Sequence, residues 1–438
     1  MAESKETRRF FTVARLFFLL VVIPLLLISS LIAFSIFQLG SSSKKQAITV
    51  LDKKSQEGIL LRAKSIAGDI ADFLKERQRD VLIATILPPD PSAYERFVKE
   101  NRKALWVKKG DKIIKIQAPL YKEMSLIDRE GNELIKIVNG KIAPKNKLVN
   151  VSNPLNTTYK SEDYFLKAKD LSKGDVYISH VTGWYVSKSE FMKGKRFSGV
   201  IRFATPVFDE NGFAGVIELA LDIRHLAKFT DNIIPTQPER VFEADALTGN
   251  YAYMVDNRGF IISHPSDYFI VGLQKNGKVV PPITKENLEG MPQKGTQVLN
   301  LNLLKDTNPD LYQIERDASA GHSGIKVYKF EGHTKFVAYA PIPFFSKHYP
   351  PPGGFGWIGL GVDIEKFKEQ ALTTSKRIEK EAQTWISTII IILVVAVILL
   401  FLISTLLARG ITRSIDAEVP PEAEEAAKHY DDDKIIDP

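Results

Sequence analysis

The 438 residues exceed what one hydrophobic core usually organises, and the ordinary 44% hydrophobic and 25% charged content predicts two or three folded units, not wholesale disorder or a polytopic membrane protein. The 59 Lys and Arg are interspersed with 52 Asp and Glu for a net charge of only +7, and no dense basic block interleaved with aromatics marks a nucleic-acid face. Cysteine is absent, which excludes disulfides, thiolate metal sites and a cysteine nucleophile.

Lys5, Arg8, Arg9 and Arg15 make residues 1–15 a basic N-terminus, and residues 16–39 are almost wholly apolar, with Pro24 and a few serines inside. Roughly 20 apolar residues cross a hydrocarbon core, so a first transmembrane helix is expected over 16–39. A cleaved signal peptide would have a shorter core ending at a small-x-small site, which this stretch lacks. Residues 40–84 then read as a long entry helix, because Ile59, Ala63, Ile66, Ile70, Phe73, Leu74, Val81 and Ala84 recur at three- and four-residue spacing and form one apolar stripe. Its lower part has few partners of its own in the sequence, which points to a second copy of the protein.

The next long section repeats itself. Met124–Asp128, with Gly131 after it, leads into the apolar run Leu134–Ile137; Tyr253–Asp256, with Gly259 after it, leads into Phe260–Ile262. An Asp bonding its own backbone with a Gly three residues on is a turn signal, so each copy is expected to be a hairpin. Farther on, Phe203–Val207 precedes Gly215–Asp222, and Val337–Ile342 precedes Gly356–Asp363, each Gly-to-Asp step being seven residues. Two tandem units follow, over 85–227 and 228–364, each α+β and built on an antiparallel sheet of β-branched strands.

Residues 365–384 carry no obvious Gly or Pro break and are expected as a connecting helix into a second, β-branched transmembrane helix over 385–408. Both termini then lie on one side. Arg8, Arg9 and Arg15 with Arg409 and Arg413 favour the cytoplasm for that side, against Lys44, Lys45, Lys376 and Arg377 on the opposite flanks. The expected location is the inner (plasma) membrane, with the two units periplasmic or extracellular.

Taken in order, the long entry helix, the paired hairpins, Gly174–Ser179, Val200–Val207, His264–Gly272 and Gly356–Asp363 resemble the double Cache sensor region, the tandem PAS-like module of bacterial and archaeal chemoreceptors and sensor kinases, over about residues 40–383. The resemblance implies a pocket for a small molecule in the membrane-distal unit. Amino-acid receptors of this family carry an Arg-x-Trp-Tyr element for the ligand carboxylate and ammonium. Here that element is Glu162, Asp163, Tyr164 and Phe165, so its Arg is missing. Tyr177 and Asp222 match later positions of the pattern, whereas Ser179 stands where an Asp would be. A small polar or anionic ligand other than a standard α-amino acid is therefore expected, with Lys160 or Arg202 as an alternative cation.

Tyr159, Tyr164, Tyr177, Trp184 and Tyr185 cluster in the first unit, as pocket walls with polar tips or as sheet core. Arg202 interrupts an apolar strand and must meet solvent, a carboxylate such as Asp222 or Glu218, or an anionic ligand. His180, next to Ser179, is a ligand-contact candidate, although a lone His is more often a surface or satisfied core residue. The candidate ligand set is Tyr159, Tyr164, Tyr177, Ser179, Trp184, Tyr185, Arg202 and Asp222. No catalysis, cofactor or metal is expected: Gly321-His322-Ser323-Gly324-Ile325 lacks the second Gly of a nucleophile elbow, the seven His show no metal spacing, and no phosphate loop occurs.

Ala408–Ile415 resembles the opening of a HAMP linker, and the short cytoplasmic tail, 409–438, is acidic from Asp416 on. An output domain is expected to be absent or supplied by a cytoplasmic partner. Two readings follow: a receptor that passes ligand occupancy across the bilayer as a homodimer, or an anchored binding or scaffold protein without signalling output.

Overall fold

A computed structural model describes residues 2–418 apart from 110, 111, 294 and 331, so the acidic tail lies almost wholly outside the described residues. The chain divides into two compact units, Lys53–Lys368 and the terminal segments Met1–Asp52 with Glu369–Pro438.

The first element, α1 (Ala2–Ala84), joins the expected first span and entry helix into one helix with Pro24 inside it. All eight residues of the apolar stripe from Ile59 to Ala84 are buried. Then come α2 (Pro91–Glu100), capped by Asp90 with Pro91 at its first turn, the hairpin of β1 (Arg102–Lys109) and β2 (Lys112–Pro119), and β3 (Tyr121–Asp128), β4 (Glu133–Val138) and β5 (Lys141–Ile142). Across the middle run α3 (Tyr164–Ala168), β6 (Tyr177–Ile178), β7 (Thr182–Trp184) and α4 (Lys188–Met192). The unit closes with β8 (Ser198–Asp209), β9 (Gly212–Asp222) and α5 (Arg224–Ala227). The second repeat contains β10 (Tyr251–Asp256), β11 (Ile261–Ser263), α6 (Gly290–Gln293), α7 (Pro309–Ser319), β12 (Gly324–Phe330), β13 (His333–Ile342) and β14 (Gly356–Asp363). The chain then enters α8 (Ile364–Glu418).

The repeat is visible in the sheets. The first runs β5-β4-β3-β9-β8-β6, with β7 also on β8; the second runs β11-β10-β14-β13-β12; all pairings are antiparallel. Thus β4-β3-β9-β8 corresponds to β11-β10-β14-β13. The paired motifs also coincide: Asp128 faces Gly215 and Asp256 faces Gly356. Both glycines have positive φ, 156° and 138°, and a Cβ on either would stand 2.0 Å from a carbonyl oxygen, of Ile127 or Val255. Only Gly fits so close to a neighbouring strand's backbone. Asp128 and Asp256 each accept two backbone N–H groups within their own turn.

The two sheets share one apolar core, since the α1 stripe, Leu219 and Leu221 of β9, and Tyr251, Val255 and Trp357 of the second repeat belong to one contiguous cluster. Arg62 of α1 also donates to the carbonyls of Ile234 and Pro235 in the join between the repeats, each at 3.0 Å.

In the terminal unit, among the described residues, one helical stretch is long and apolar enough to cross a membrane: Gln383–Leu407, 25 residues with mean hydropathy 3.5 and unburied. The expected first span is represented by the shorter apolar run Phe18–Ile32.

Candidate functional site

Sheet periodicity puts Glu123 and Ser125 of β3, Glu218, Ala220 and Asp222 of β9, and Val200, Arg202 and Ala204 of β8 on one face: Arg202 and Glu123 both oppose Ala220, and Ser125 opposes Glu218. The small Ala220 leaves room for the long side chains on either side. Arg202 is 1% exposed and is satisfied entirely by protein. Nε and Nη2 donate to the two oxygens of Glu162 at 2.7 and 3.1 Å, and Nη1 donates to Glu123 at 2.7 Å and to Glu218 at 3.0 Å. Its guanidinium carbon lies 4.9 Å from the Tyr164 ring centroid, a cation–π contact. Lys136 adds a second cation beside Glu123 and Glu133.

Burial opposes the charge on Arg202, but the three carboxylates more than offset it and hold its pKa well above the ordinary value. Burial would also raise Glu123, yet Arg202 and Lys136 pull it down to about 2. Glu218 goes the other way: it is fully buried, which pushes it up to about 8 against the pull of Arg202, so at neutral pH it is mostly protonated. Arg202 is therefore the counterion of an internal acidic cluster, and its guanidinium is not free for the anionic ligand expected from sequence.

Above this face, α3 and the strand ends β6 and β7 border a cavity of about 200 Å³. Its walls include Asp163, Tyr164, Tyr177, Ser179 and Arg202 from the first repeat and Arg258, Leu273 and Val279 from the second. The site expected within residues 85–227 alone thus has its far wall in the second repeat. Tyr177 donates its hydroxyl to Asp163 Oδ1 at 3.0 Å, and the other Asp163 oxygen takes no hydrogen bond from a described residue. Ser179 is fixed by its own backbone: its N–H donates to Arg202 O, its Oγ accepts the Arg202 N–H, and its carbonyl accepts the Tyr349 hydroxyl. Arg258 binds Asp256 Oδ2 through Nε and Nη2, at 2.9 and 2.6 Å, and its Nη1 makes no hydrogen bond to a described residue. His180, lowered to about 4 by burial and then by Arg258, is neutral at physiological pH and lies 3.0 Å from Asn257 Oδ1. One available carboxylate oxygen and one available guanidinium edge, with hydroxyls between them, suit a small polar molecule.

The eight candidate residues separate into three groups. Tyr164, Tyr177, Ser179 and Arg202 border this cavity. Tyr159, Trp184 and Tyr185 instead line a second, larger cleft. Asp222 lines neither, because its carboxylate is taken by Arg224 at 2.6 and 2.9 Å and by Lys122 at 3.4 Å. Sequence reasoning missed Asp163 as a polar wall and Arg258 altogether, having read Arg258 only as part of a turn. An Arg inside a repeated Asp-x-x-Gly turn, where the first copy has Glu130, was the available signal. The corresponding interior of the second repeat is filled by rings: Tyr251, Tyr253, His264, Tyr328 and Phe330 leave about 20 Å³.

A family model described as a Cache domain matches residues 43–366. No curated protein matches the sequence. Similar solved structures include the extracellular domain of the putative histidine kinase mmHK1S-Z3, 14% identical over 73% of this chain and 98% of that one, with a TM-score of 0.43. The ligand-binding domain of the Pseudomonas aeruginosa PAO1 amino acid chemoreceptor PctC, in complex with GABA, is 13% identical over 70% of this chain and 99% of that one, with a TM-score of 0.39. The ligand-binding domain of the Pseudomonas fluorescens chemoreceptor CtaA, in complex with L-isoleucine, is 15% identical over 74% and 98%, with a TM-score of 0.39.

Proposed function

The chain belongs to the Cache-domain family, and from that premise we propose that it is a membrane-anchored extracytoplasmic sensor that binds a small polar molecule in the cavity between its two repeats. Spans over 16–39 and 385–408 would anchor it with both termini cytoplasmic, and occupancy would pass as a homodimer to a signalling partner inside the cell. The observation that carries the reading is the cavity itself, preformed and polar, with Asp163 on one repeat and Arg258 on the other. A ligand whose donor meets Asp163 and whose acceptor meets Arg258 would draw the repeats together, and it biases them only through unequal affinity for two arrangements.

The test is a thermal-shift screen of the full chain in nanodiscs against small amines, carboxylates, zwitterions and polyols, since a ligand that binds only the native state raises its unfolding temperature. Hits should be weakened by Asp163→Asn and by Arg258→Ala, with the ligand-free melting curve checking that each variant still folds, since Arg258 also pairs with buried Asp256. If hits stabilise both variants as well as they do the wild type, the site lies elsewhere. A protein that only binds would show the same hits without ligand-dependent change at its connecting helix.

A further inference from the structure

The segment 271–281 separates two cavities. Val271 and Val279 face the polar one, whereas Gln274, Lys275, Val280 and Pro281 line a cleft of about 830 Å³, and Leu273 touches both. The cleft lies within the size range of small-molecule sites and, like many of them, at a junction between repeats. Its character differs from that of its neighbour. Tyr159 and Trp184, with ring centroids 5.4 Å apart, form an aromatic wall with Tyr185, and Leu273, Val280, Pro281 and Met291 supply aliphatic surface.

These rings are held from outside the cleft. The Tyr185 hydroxyl donates to Tyr268 O and accepts the Gln297 N–H, each at 3.0 Å, while the Tyr185 N–H donates to Leu273 O at 3.0 Å. Leu273 N–H returns a bond to Gly183 O at 2.8 Å. Gly272 permits this approach, because a Cβ there would stand 2.6 Å from the Tyr185 backbone. With its polar tip consumed, Tyr185 offers the cleft only ring surface, and a wall fixed before binding loses little entropy on receiving a flat ligand. The rim is basic. Lys195 is paired with Glu190 and Arg196 with Glu243, whereas exposed Lys275 has no carboxylate partner among the described residues.

We propose that this cleft is a second ligand site, independent of the polar cavity, for a small aromatic carboxylate whose ring stacks on the Trp184 and Tyr185 wall and whose anion meets Lys275. The probe is para-fluorobenzoate, followed by fluorine line broadening on the full chain in nanodiscs, with empty nanodiscs subtracted. Wild type should broaden the signal at submillimolar probe, and trifluoroacetate, which has charge without a ring, should not be broadened. Met291→Trp, which adds bulk among the residues lining the cleft, should weaken the effect. Lys275→Gln, at an exposed position that cannot disturb the core, should weaken binding about threefold. Val279→Trp, which fills the other cavity, should leave it unchanged, so the outcome is separable from that of the polar site. Absence of wild-type broadening, or equal broadening in Met291→Trp and Lys275→Gln, overturns the proposal. Loss in Val279→Trp alone would assign the probe to the polar cavity and overturn it equally.

Discussion

Arg202→Ala discriminates most sharply between a ligand anchor and a structural counterion. In the folded protein Arg202 neutralises Glu123 and Glu162 and donates to the largely protonated Glu218, all three 7% exposed or less. Its removal strands those carboxylates in a low-dielectric interior, and breaking a buried pair in this way costs about 3–5 kcal/mol. The depression of Glu123 from 4.5 to about 2, which against the opposing effect of burial Arg202 shares with Lys136 and Thr158, corresponds to about 3 kcal/mol in all at roughly 1.4 kcal/mol per pKa unit, not to Arg202's part alone. For a unit as large as Lys53–Lys368 the loss should lower the unfolding midpoint by roughly 5–8 °C at neutral pH. The deficit should also depend on pH. Because the folded pKa of Glu123 is depressed, its stabilisation is present above about 4.5 and is lost as pH falls towards 2. In the variant the stranded carboxylates take up protons readily, so the gap from wild type should narrow across that acid range. Arg202→Lys, which keeps the charge but cannot make the two-pronged bond to Glu162, should fall between. Scanning calorimetry from pH 7 to pH 3 decides the matter. An Arg202→Ala protein with wild-type stability and lost ligand binding would refute the internal-counterion assignment.

Glu218→Gln should change the alkaline side of the stability profile. A carboxyl whose folded pKa is raised to about 8 stabilises fully below about 4.5 and loses that contribution as pH rises through 8, so wild type should weaken across this window and the variant should weaken less; parallel melting curves would count against the buried, protonated assignment. Gly356→Ala should destabilise by several kcal/mol or prevent folding, since the added Cβ meets the Val255 carbonyl, whereas Gly212→Ala shares the strain of a positive φ (102°) but has open space around its Cβ and should cost less; equal urea midpoints for the two would contradict the close-approach argument. Because the chain has no cysteine, Thr374→Cys and Glu381→Cys are clean reporters of the connecting helix: intersubunit crosslinks should form in vesicles at rates that change with ligand, and unchanged rates at both positions would leave the anchored binding protein as the better reading.

The repeat could be read in the sequence because its signals are local and backbone-driven. Asp256 must accept its own turn's N–H groups and Gly356 must pass within contact of a carbonyl, so residue type and conformation are tied. The α1 stripe was legible for a similar reason, as burial on one helix face leaves a periodic trace. The charge cluster left none. Arg202 is separated from Glu218 by 16 residues, from Glu162 by 40 and from Glu123 by 79, and only the sheet order β3-β9-β8 and the return of the loop before α3 bring them together. A lone Arg in an apolar strand announced that it needed solvent, a carboxylate or an anionic ligand, without saying which. Tyr159, Trp184 and Tyr185 were grouped with Tyr164 and Tyr177 by proximity in the chain, but the 271–281 segment of the second repeat separates the two sets. That segment is nearly 100 residues downstream of Tyr177, so no pattern within the first repeat reveals the division.

The most direct test of ligand binding between the repeats is Val279→Trp. Val279 is 49% exposed and lines the polar cavity from the second repeat, so a Trp there can fill much of the roughly 200 Å³ without entering the core. With a hit from the small-molecule screen in hand, isothermal titration of wild type and variant should show binding abolished in Val279→Trp while its ligand-free melting temperature stays within a few degrees of wild type. Undiminished binding in the variant would place the ligand elsewhere and contradict a site shared by the two repeats.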